Sequence, residues 1–380
     1  MNDFASHLRA AMAAKGMTMR GIARALQYDP AYLSRVLNGK QQPSERLVEL
    51  LERLLDAGGS LTAPATEGRQ SFVNSCEADI RHIRDTISHL LEHDNRYGGD
   101  AVASTAVQVL RVGKEKLDKD EIPDELHNEY LATVAEMAEI AGWLLFDAGQ
   151  QEDSRSAFLD SHMLARHAGD KPMAWFALDM LAMHSIEHGR PGEALRVADE
   201  ILSDPRTPAR VALLARIRKA RALAITGARQ PSLNEFALAR SALGGSITTR
   251  DPSWTWWVDD RELTGHEGEA LLVGGDPSAA IPKLQRALEL SITSDTNRRV
   301  NLYYSVALLA AYTSARAWRE CETTLLSIPA MLESVASGRS RRRLRLTLRE
   351  IMREPNSPYW LSDLAREIAQ TLQPPLRGTY

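Results

Sequence analysis

The sequence predicts an all-α protein in two parts: a small helical head, then a long body of paired helices. Three observations predict it. Apolar residues recur every three or four positions along most of the 380 residues, and few segments alternate as strands do. Glycine turns return at Gly149, Gly189, Gly227 and Gly275, with gaps of 40, 38 and 48 residues. Between the parts, the stretch AGGSLTAPATEGRQS over 57–71 has turn-forming composition and no apolar period, as expected of a flexible tether. The boundaries read as a head over 1–59, a linker over 60–72 and a body over 73–372.

The head divides into four short helices. Phe4, Leu8 and Met12 make one apolar stripe, and Gly16 ends that helix. Thr18 is a good N-cap for a second helix whose Ile22, Ala23 and Leu26 face inward. Ala23 is small enough for a close helix crossing. A sharp turn follows at Gln27 and Tyr28. Asp29 then caps a third helix with Pro30 at its first position, where a missing N–H costs nothing. Leu33, Val36 and Leu37 anchor it, and Asn38-Gly39 stops it. Ser44 caps a fourth helix carrying Leu47, Leu50, Leu51 and Leu54, with Gly58-Gly59 as its expected end.

Charge separates the same region. The chain carries a net −4, yet residues 1–43 hold Arg9, Lys15, Arg20, Arg24, Arg35 and Lys40 against only Asp3 and Asp29. A local excess of about +4 attracts a phosphate backbone.

The run TMRGIARALQYDPAYLSRVLNGKQQPS resembles the helix-turn-helix of the phage-repressor (Cro) class, also called the xenobiotic-response-element class. Thr18, Ile22-Ala23, Leu33-Ser34, Asn38-Gly39-Lys40 and Pro43 carry the resemblance. Two positions depart from it: Gln27, where the family usually has glycine, and Met19, where it often has a polar residue. A Gln27 in that turn must take left-handed geometry at some cost, or the turn is built differently. The resemblance implies that the third helix enters the major groove of double-stranded DNA. Ala31, Tyr32, Ser34 and Arg35 would then face base edges, with Arg35 suited to guanine O6 and N7. Thr18, Arg20, Asn38 and Lys40 would hold phosphates and fix register.

In the body, Tyr130, Val134, Met137, Ala141 and Leu145 form a typical helical stripe. A further 40-residue step lands on Ala315, in Thr313-Ser314-Ala315. A second helix follows each turn, as in GRPGEALRVADEIL, GGDPSAAIPKLQRALEL and SARAWRECETTLL. Pro282 should kink its helix or mark its true start. Helix–turn–helix units at this period make a helical-hairpin solenoid. The units AGWLLFDAGQQEDSRSAFLDSHMLARHAGD and HEGEALLVGGDPSAAIPKLQRALEL resemble degenerate tetratricopeptide repeats. Head and body together resemble a large group of actinobacterial regulators, and in architecture the peptide-pheromone receptors used in Gram-positive quorum sensing. That resemblance implies a homodimer on an inverted-repeat operator and a body that senses a ligand, a peptide first and a small metabolite second.

Composition excludes other classes. Apolar residues make up 44% and charged ones 25%, without an apolar run long enough for a bilayer. No secretory signal is evident at the N-terminus, so a cytoplasmic location is expected. Cys76 and Cys321 lack metal-ligand spacing and read as packing residues. His89/His93 and His184/His188 sit four apart without an evident third ligand, so no metal is expected. His266-Glu267-Gly268-Glu269 lacks the second histidine of a zinc protease. No nucleotide-binding or nucleophile motif is found, so neither a cofactor nor an enzyme is expected.

Two body segments stand out. Trp254, Trp256 and Trp257, with Asp259 and Asp260 beside them, suit a basic or peptide ligand, or else pack between repeats. Arg339, Arg341, Arg342, Arg343 and Arg345 suit DNA flanks or an acidic partner, or else form the solvated face of a terminal helix. A protein-binding scaffold with the head as its DNA tether is the competing function.

Overall fold

The computed structural model describes residues 3–38, 40–57, 61, 63–119, 121–245, 248–292 and 297–372. Those residues form an all-helical chain of two compact units, Met1–Asp79 and Ile80–Tyr380. Among them no helix is long and apolar enough to cross a membrane.

The first unit holds α1 (Asp3–Ala14), α2 (Met19–Leu26), α3 (Pro30–Leu37) and α4 (Glu45–Leu55). The three N-caps form as the sequence predicts. Thr18 accepts from the Gly21 N–H at 3.2 Å, Asp29 from Ala31 at 2.9 Å and Ser44 from Leu47 at 3.3 Å. Gln27 does take the left-handed conformation, with φ 54°. The turn holds it because the next N–H, of Tyr28, closes on the Ala23 carbonyl at 3.0 Å. The fourth helix closes earlier than expected, on Asp56 with φ 53°; Gly39, Gly58 and Gly59 lie outside the described residues. Leu8, Ile22, Ala23, Leu33, Val36, Leu47 and Leu51 are buried together, and Leu55 and Leu61 join them.

The stretch expected to be a tether is helical instead from Ala63, as the start of α5 (Ala63–Tyr97). Ala63, Ala65, Glu67, Arg69 and Gln70 all favour helix, and Pro64 falls in the first turn, where it is tolerated. A missing apolar period predicts a missing buried face, which is a different thing from a missing helix.

The second unit continues through α6 (Ala103–Asp118) into six helical hairpins. They are α7/α8 (His127–Ala148, Gln151–Ala168), α9/α10 (Lys171–Glu187, Pro191–Ser203) and α11/α12 (Ala209–Ile225, Arg229–Leu243). After them come α13/α14 (Asp260–Val273, Pro277–Ile292), α15/α16 (Arg298–Ser314, Trp318–Ser334) and α17/α18 (Gly338–Arg353, Tyr359–Thr371). Gly149, Gly189, Gly227 and Gly275 make the first four hairpin turns, with φ between 65° and 84°. The fifth turn uses Arg316, φ 56°, rather than Ala315. In each, the following N–H reaches back five residues, as from Gln150 to the Leu145 carbonyl at 2.9 Å and from Ala317 to Tyr312 at 2.9 Å. Pro282 lies inside α14, which starts at Pro277, so it does not mark the helix start.

Within a hairpin the helices cross over small residues. A Cβ on Gly142 would sit 2.5 Å from the Phe158 ring, and one on Gly268 would sit 2.8 Å from Leu284. Buried serines tie the crossings: Ser154 donates to the Gly142 carbonyl and Ser232 to the Ala220 carbonyl, both at 2.8 Å.

The first helices of successive hairpins pack side by side, and α17 returns to pack on α7. The repeat array therefore closes on itself. The Ser337 hydroxyl donates to Asp147 Oδ1 at 3.0 Å, and the Gly338 N–H donates to Asp100 Oδ1 at 2.8 Å. Backbone bonds join Ala336 to Tyr97 (2.7 Å) and Asp100 to Ala336 (3.3 Å). The array expected as an open solenoid instead encloses a central cavity ringed by α7, α9, α11, α13, α15 and α17, with the last turns of α5 completing the wall.

Candidate functional site

The head presents a compact polar edge on α3. Ala31 and Arg35 are exposed, while Tyr32 and Ser34 are half-buried. Arg35 Nε donates to Gln41 Oε1 at 2.9 Å, which holds the guanidinium beside the helix. Gln41 is a positioning neighbour that the sequence reading did not single out. The Tyr32 hydroxyl accepts from the Ser44 N–H at 3.2 Å, and its ring stacks on Tyr28 with centroids 6.0 Å apart. Tyr32 thus ties α3 to the start of α4 as well as facing the edge. Asn38 Nδ2 donates to Ser34 Oγ at 3.4 Å. Arg9 closes the C-terminus of α3 by donating to the Leu37 carbonyl at 2.6 Å. Thr18 spends its hydroxyl on the cap of α2; Arg20 and Lys40 are exposed.

The body holds a cavity of about 370 Å³. Its wall mixes rings and apolar groups (Trp143, Phe176, Met180, Trp256, Trp257, Tyr303) with charged ones, an amphipathic lining of the kind that small ligands use. Trp256, Trp257 and Asp259 of the tryptophan segment lie in this wall. Trp254 instead stacks on Phe176, centroids 4.3 Å apart and 8° from parallel. Asp260 pairs with Arg240 at 3.1 Å. Asp259 also caps α13, accepting from the Glu262 N–H at 2.9 Å.

Buried charges organise one side of the cavity. Arg218, 1% exposed, grips Asp179 with contacts of 2.9–3.2 Å from Nε and Nη2. His266 lies 2.8 Å from Glu262 and from nitrogens of both Arg218 and Arg221. With its proton on Nε2 it donates to Glu262 while Nδ1 accepts from Arg221. Burial and the two arginines push His266 below its usual range. Burial alone would raise Glu262 and Glu269. His266 and Arg218 outweigh it at Glu262, and Arg343 and Arg221 at Glu269, so both carboxyls sit at about 2. Burial and nearby acids push the Tyr303 hydroxyl up to about 12.

Glu139 differs from these. It is 1% exposed, it lines the cavity, and its Oε2 has no hydrogen-bond partner. Burial pushes its carboxyl well above the usual range, and the charges of Glu136 and Asp179 push the same way. Neither Glu139 nor Asp179 was among the residues singled out from sequence. Their signal was present as a lone acid inside an apolar run, MAEIAGWLLF and WFALDMLAM.

The arginine run is not a simple solvated face. Arg339 turns inward over the rings of Tyr303 (4.4 Å), Trp143 (5.5 Å) and Phe146 (5.0 Å), and Arg343 reaches Glu269 at 2.5 Å. Arg342 and Arg349 keep the solvated character. Three of the four paired histidines have ring contacts or hydrogen bonds close by in the chain, while His93 packs on Tyr97 at 5.1 Å and leaves its Nδ1 without a hydrogen-bond partner. His184 Nε2 contacts the Gln151 carbonyl at 3.0 Å and its ring stacks on His188, while His89 Nδ1 contacts the Asp85 carbonyl at 2.7 Å. Both cysteines are buried, and neither is in a disulfide.

Residues 3–65 match the family model of a helix-turn-helix domain, in agreement with α2, the Gln27 turn and α3. No curated protein matches the chain. The head is a helix-turn-helix DNA-binding domain, and it supports the class of a DNA-binding transcription regulator with an all-helical body.

Proposed function

We propose that the protein is a sequence-specific transcription regulator whose body senses a ligand. The helix-turn-helix match over residues 3–65 carries the first half of this reading. In the phage-repressor geometry, Ala31, Tyr32, Ser34 and Arg35 face base edges. Arg20, Asn38 and Lys40 hold phosphates, with Thr18 at the helix start beside them. One such head buries too little surface for tight specific binding, so the operator is an inverted repeat read by a homodimer.

The cavity supports the second half. Several charges are buried around a void large enough for a small molecule, an arrangement that core packing alone does not favour. The closure of α17 on α7 and the volume of about 370 Å³ favour a small metabolite over an extended peptide. In this reading the buried charges recognise the ligand and catalyse nothing. Binding biases the body between two arrangements, as allosteric coupling requires.

A genomic-fragment selection with purified full-length protein tests the reading. Recovery of one inverted-repeat motif is the expected result. Recovery of a stable protein partner and no enriched sequence would favour the scaffold function instead.

A further inference from the structure

Within that sensing reading, the ionic pairing around the cavity specifies the charge of the ligand. Each arginine in the wall already has a carboxylate. Arg218 has Asp179 at 2.9 Å, Arg299 has Asp94 at 3.0 Å, Arg339 has Asp147 at 3.7 Å and Arg261 has Asp259 at 3.8 Å. The remaining acids of the wall are matched too. Glu262 has His266 at 2.8 Å and Arg218 at 3.8 Å, while Glu269 has Arg343 at 2.5 Å and Arg221 at 3.7 Å. One carboxyl is left over. Among the described residues no base lies within ion-pair distance of Glu139, and its Oε2 lacks any partner.

An anionic ligand would meet arginines that each already face a carboxylate within 4 Å, although Nε of Arg261, Arg299 and Arg339 makes no hydrogen bond. A cationic one would find a buried carboxyl with an open oxygen. The same wall carries Trp256 and Trp257, whose ring faces also favour a cation or an aromatic group, and Phe176, one face of which Trp254 already covers. Trp143 is less free for this, because Arg299 and Arg339 lie 4.8 Å and 5.5 Å from its ring centre.

We propose that the cavity takes a small amine with an aromatic or apolar body, its ammonium paired with Glu139. Without a partner the buried carboxyl keeps its proton; an ammonium seated beside it would let it ionise, the proton passing to solvent, and the two charges would then offset each other's burial. The unmatched Glu139 is then a vacancy in the ionic lattice that the ligand completes. This rests on the sensing reading given above, but it makes a separate claim about ligand charge.

Three probes of equal length and different charge test it: phenethylamine, 2-phenylethanol and phenylacetate, titrated into full-length protein by calorimetry. The amine is expected to bind at least about tenfold more tightly than either of the others, as a charge-assisted contact allows. Glu139→Gln should remove that preference while leaving thermal stability equal or higher, since an unpaired buried carboxyl is lost. Trp256→Ala, at an exposed ring, should weaken all three probes without unfolding the body. A preference for phenylacetate, or equal binding of the amine by the wild type and Glu139→Gln, overturns the assignment. So does failure of all three to bind up to about 10 mM, beyond the range expected of so small a ligand. Operator affinity, measured alongside, separates the two claims. Amine binding that leaves operator affinity unchanged supports the assignment and removes the sensing reading. Anion binding that shifts operator affinity does the reverse.

Discussion

The two units treat charge in opposite ways. In the head the core is made of aliphatic side chains, and Arg20, Arg35 and Lys40 all lie exposed. In the body Arg218, Asp179, Glu139 and Glu269 are among the most buried side chains. A domain as small as the head has little burial to offset the desolvation of an ion, so its chemistry lies on its surface. The six-hairpin ring has core to spare and places its charges around an internal cavity. One unit carries its charges where a polyanion can meet them, and the other carries them around an internal cavity.

The largest expected effect breaks the body side of this contrast. Arg218→Ala leaves Asp179 buried without its cation and should destabilise the body by about 3–5 kcal/mol in denaturant titration. The double replacement Arg218→Met with Asp179→Leu should recover most of that loss. If the single replacement costs nothing, the pair is not as desolvated as its burial implies.

The next effect is in pH. Burial holds the His184 imidazole down at about 4 against an ordinary value of 6.5. The folded state therefore binds the proton less readily than the unfolded one. The stabilisation is complete above pH 6.5 and is lost as pH falls toward 4, by at most about 3 kcal/mol. His266, also lowered by burial, adds to the same loss. His184→Gln should flatten part of the slope between pH 6.5 and 4 in the body's unfolding transition. An unchanged slope would mean that His184 titrates freely.

On the head, Arg35→Ala should weaken operator binding by about 1–3 kcal/mol and relax one base position, with folding unchanged. Wild-type affinity in that variant would displace Arg35 from the recognition edge. The smallest effects compare one device in both units. Gln27 and Arg316 each end a helix with positive φ, 54° and 56°. Glycine at either position should stabilise its unit by about 0.5–1 kcal/mol. Loss of stability instead would show that the side chain, and not the backbone, holds the turn. At Arg316 the lost contact is its ion pair with Glu354 at 3.3 Å, half exposed and so of small value.

Much of this was legible beforehand because it is local. Thr18, Asp29 and Ser44 announce helix starts, and Gly149, Gly189, Gly227 and Gly275 announce hairpin turns, through bonds that span a few residues. Gln27 even advertised its strained geometry as a departure from glycine. The tether over 60–72 was misread from Ala63 on, because the absence of an apolar face was taken for the absence of a helix. The arginine run was unresolved for a related reason. Spacing gives the face on which Arg339 and Arg343 lie, but only packed neighbours reveal that this face turns toward Tyr303 and Glu269.

The sequence by itself determined most of the helices, the N-caps of the head, the hairpin turns and the helix-turn-helix head, all set by contacts within a turn or two of chain. The tertiary structure alone decided that the hairpin array closes, through bonds such as Ser337 to Asp147 that join residues 190 positions apart. Closure gathers α5, α7, α9, α11, α13, α15 and α17 around one cavity and leaves Glu139 unpaired within it. No periodicity encodes that arrangement, because it depends on the sum of small rotations between successive hairpins.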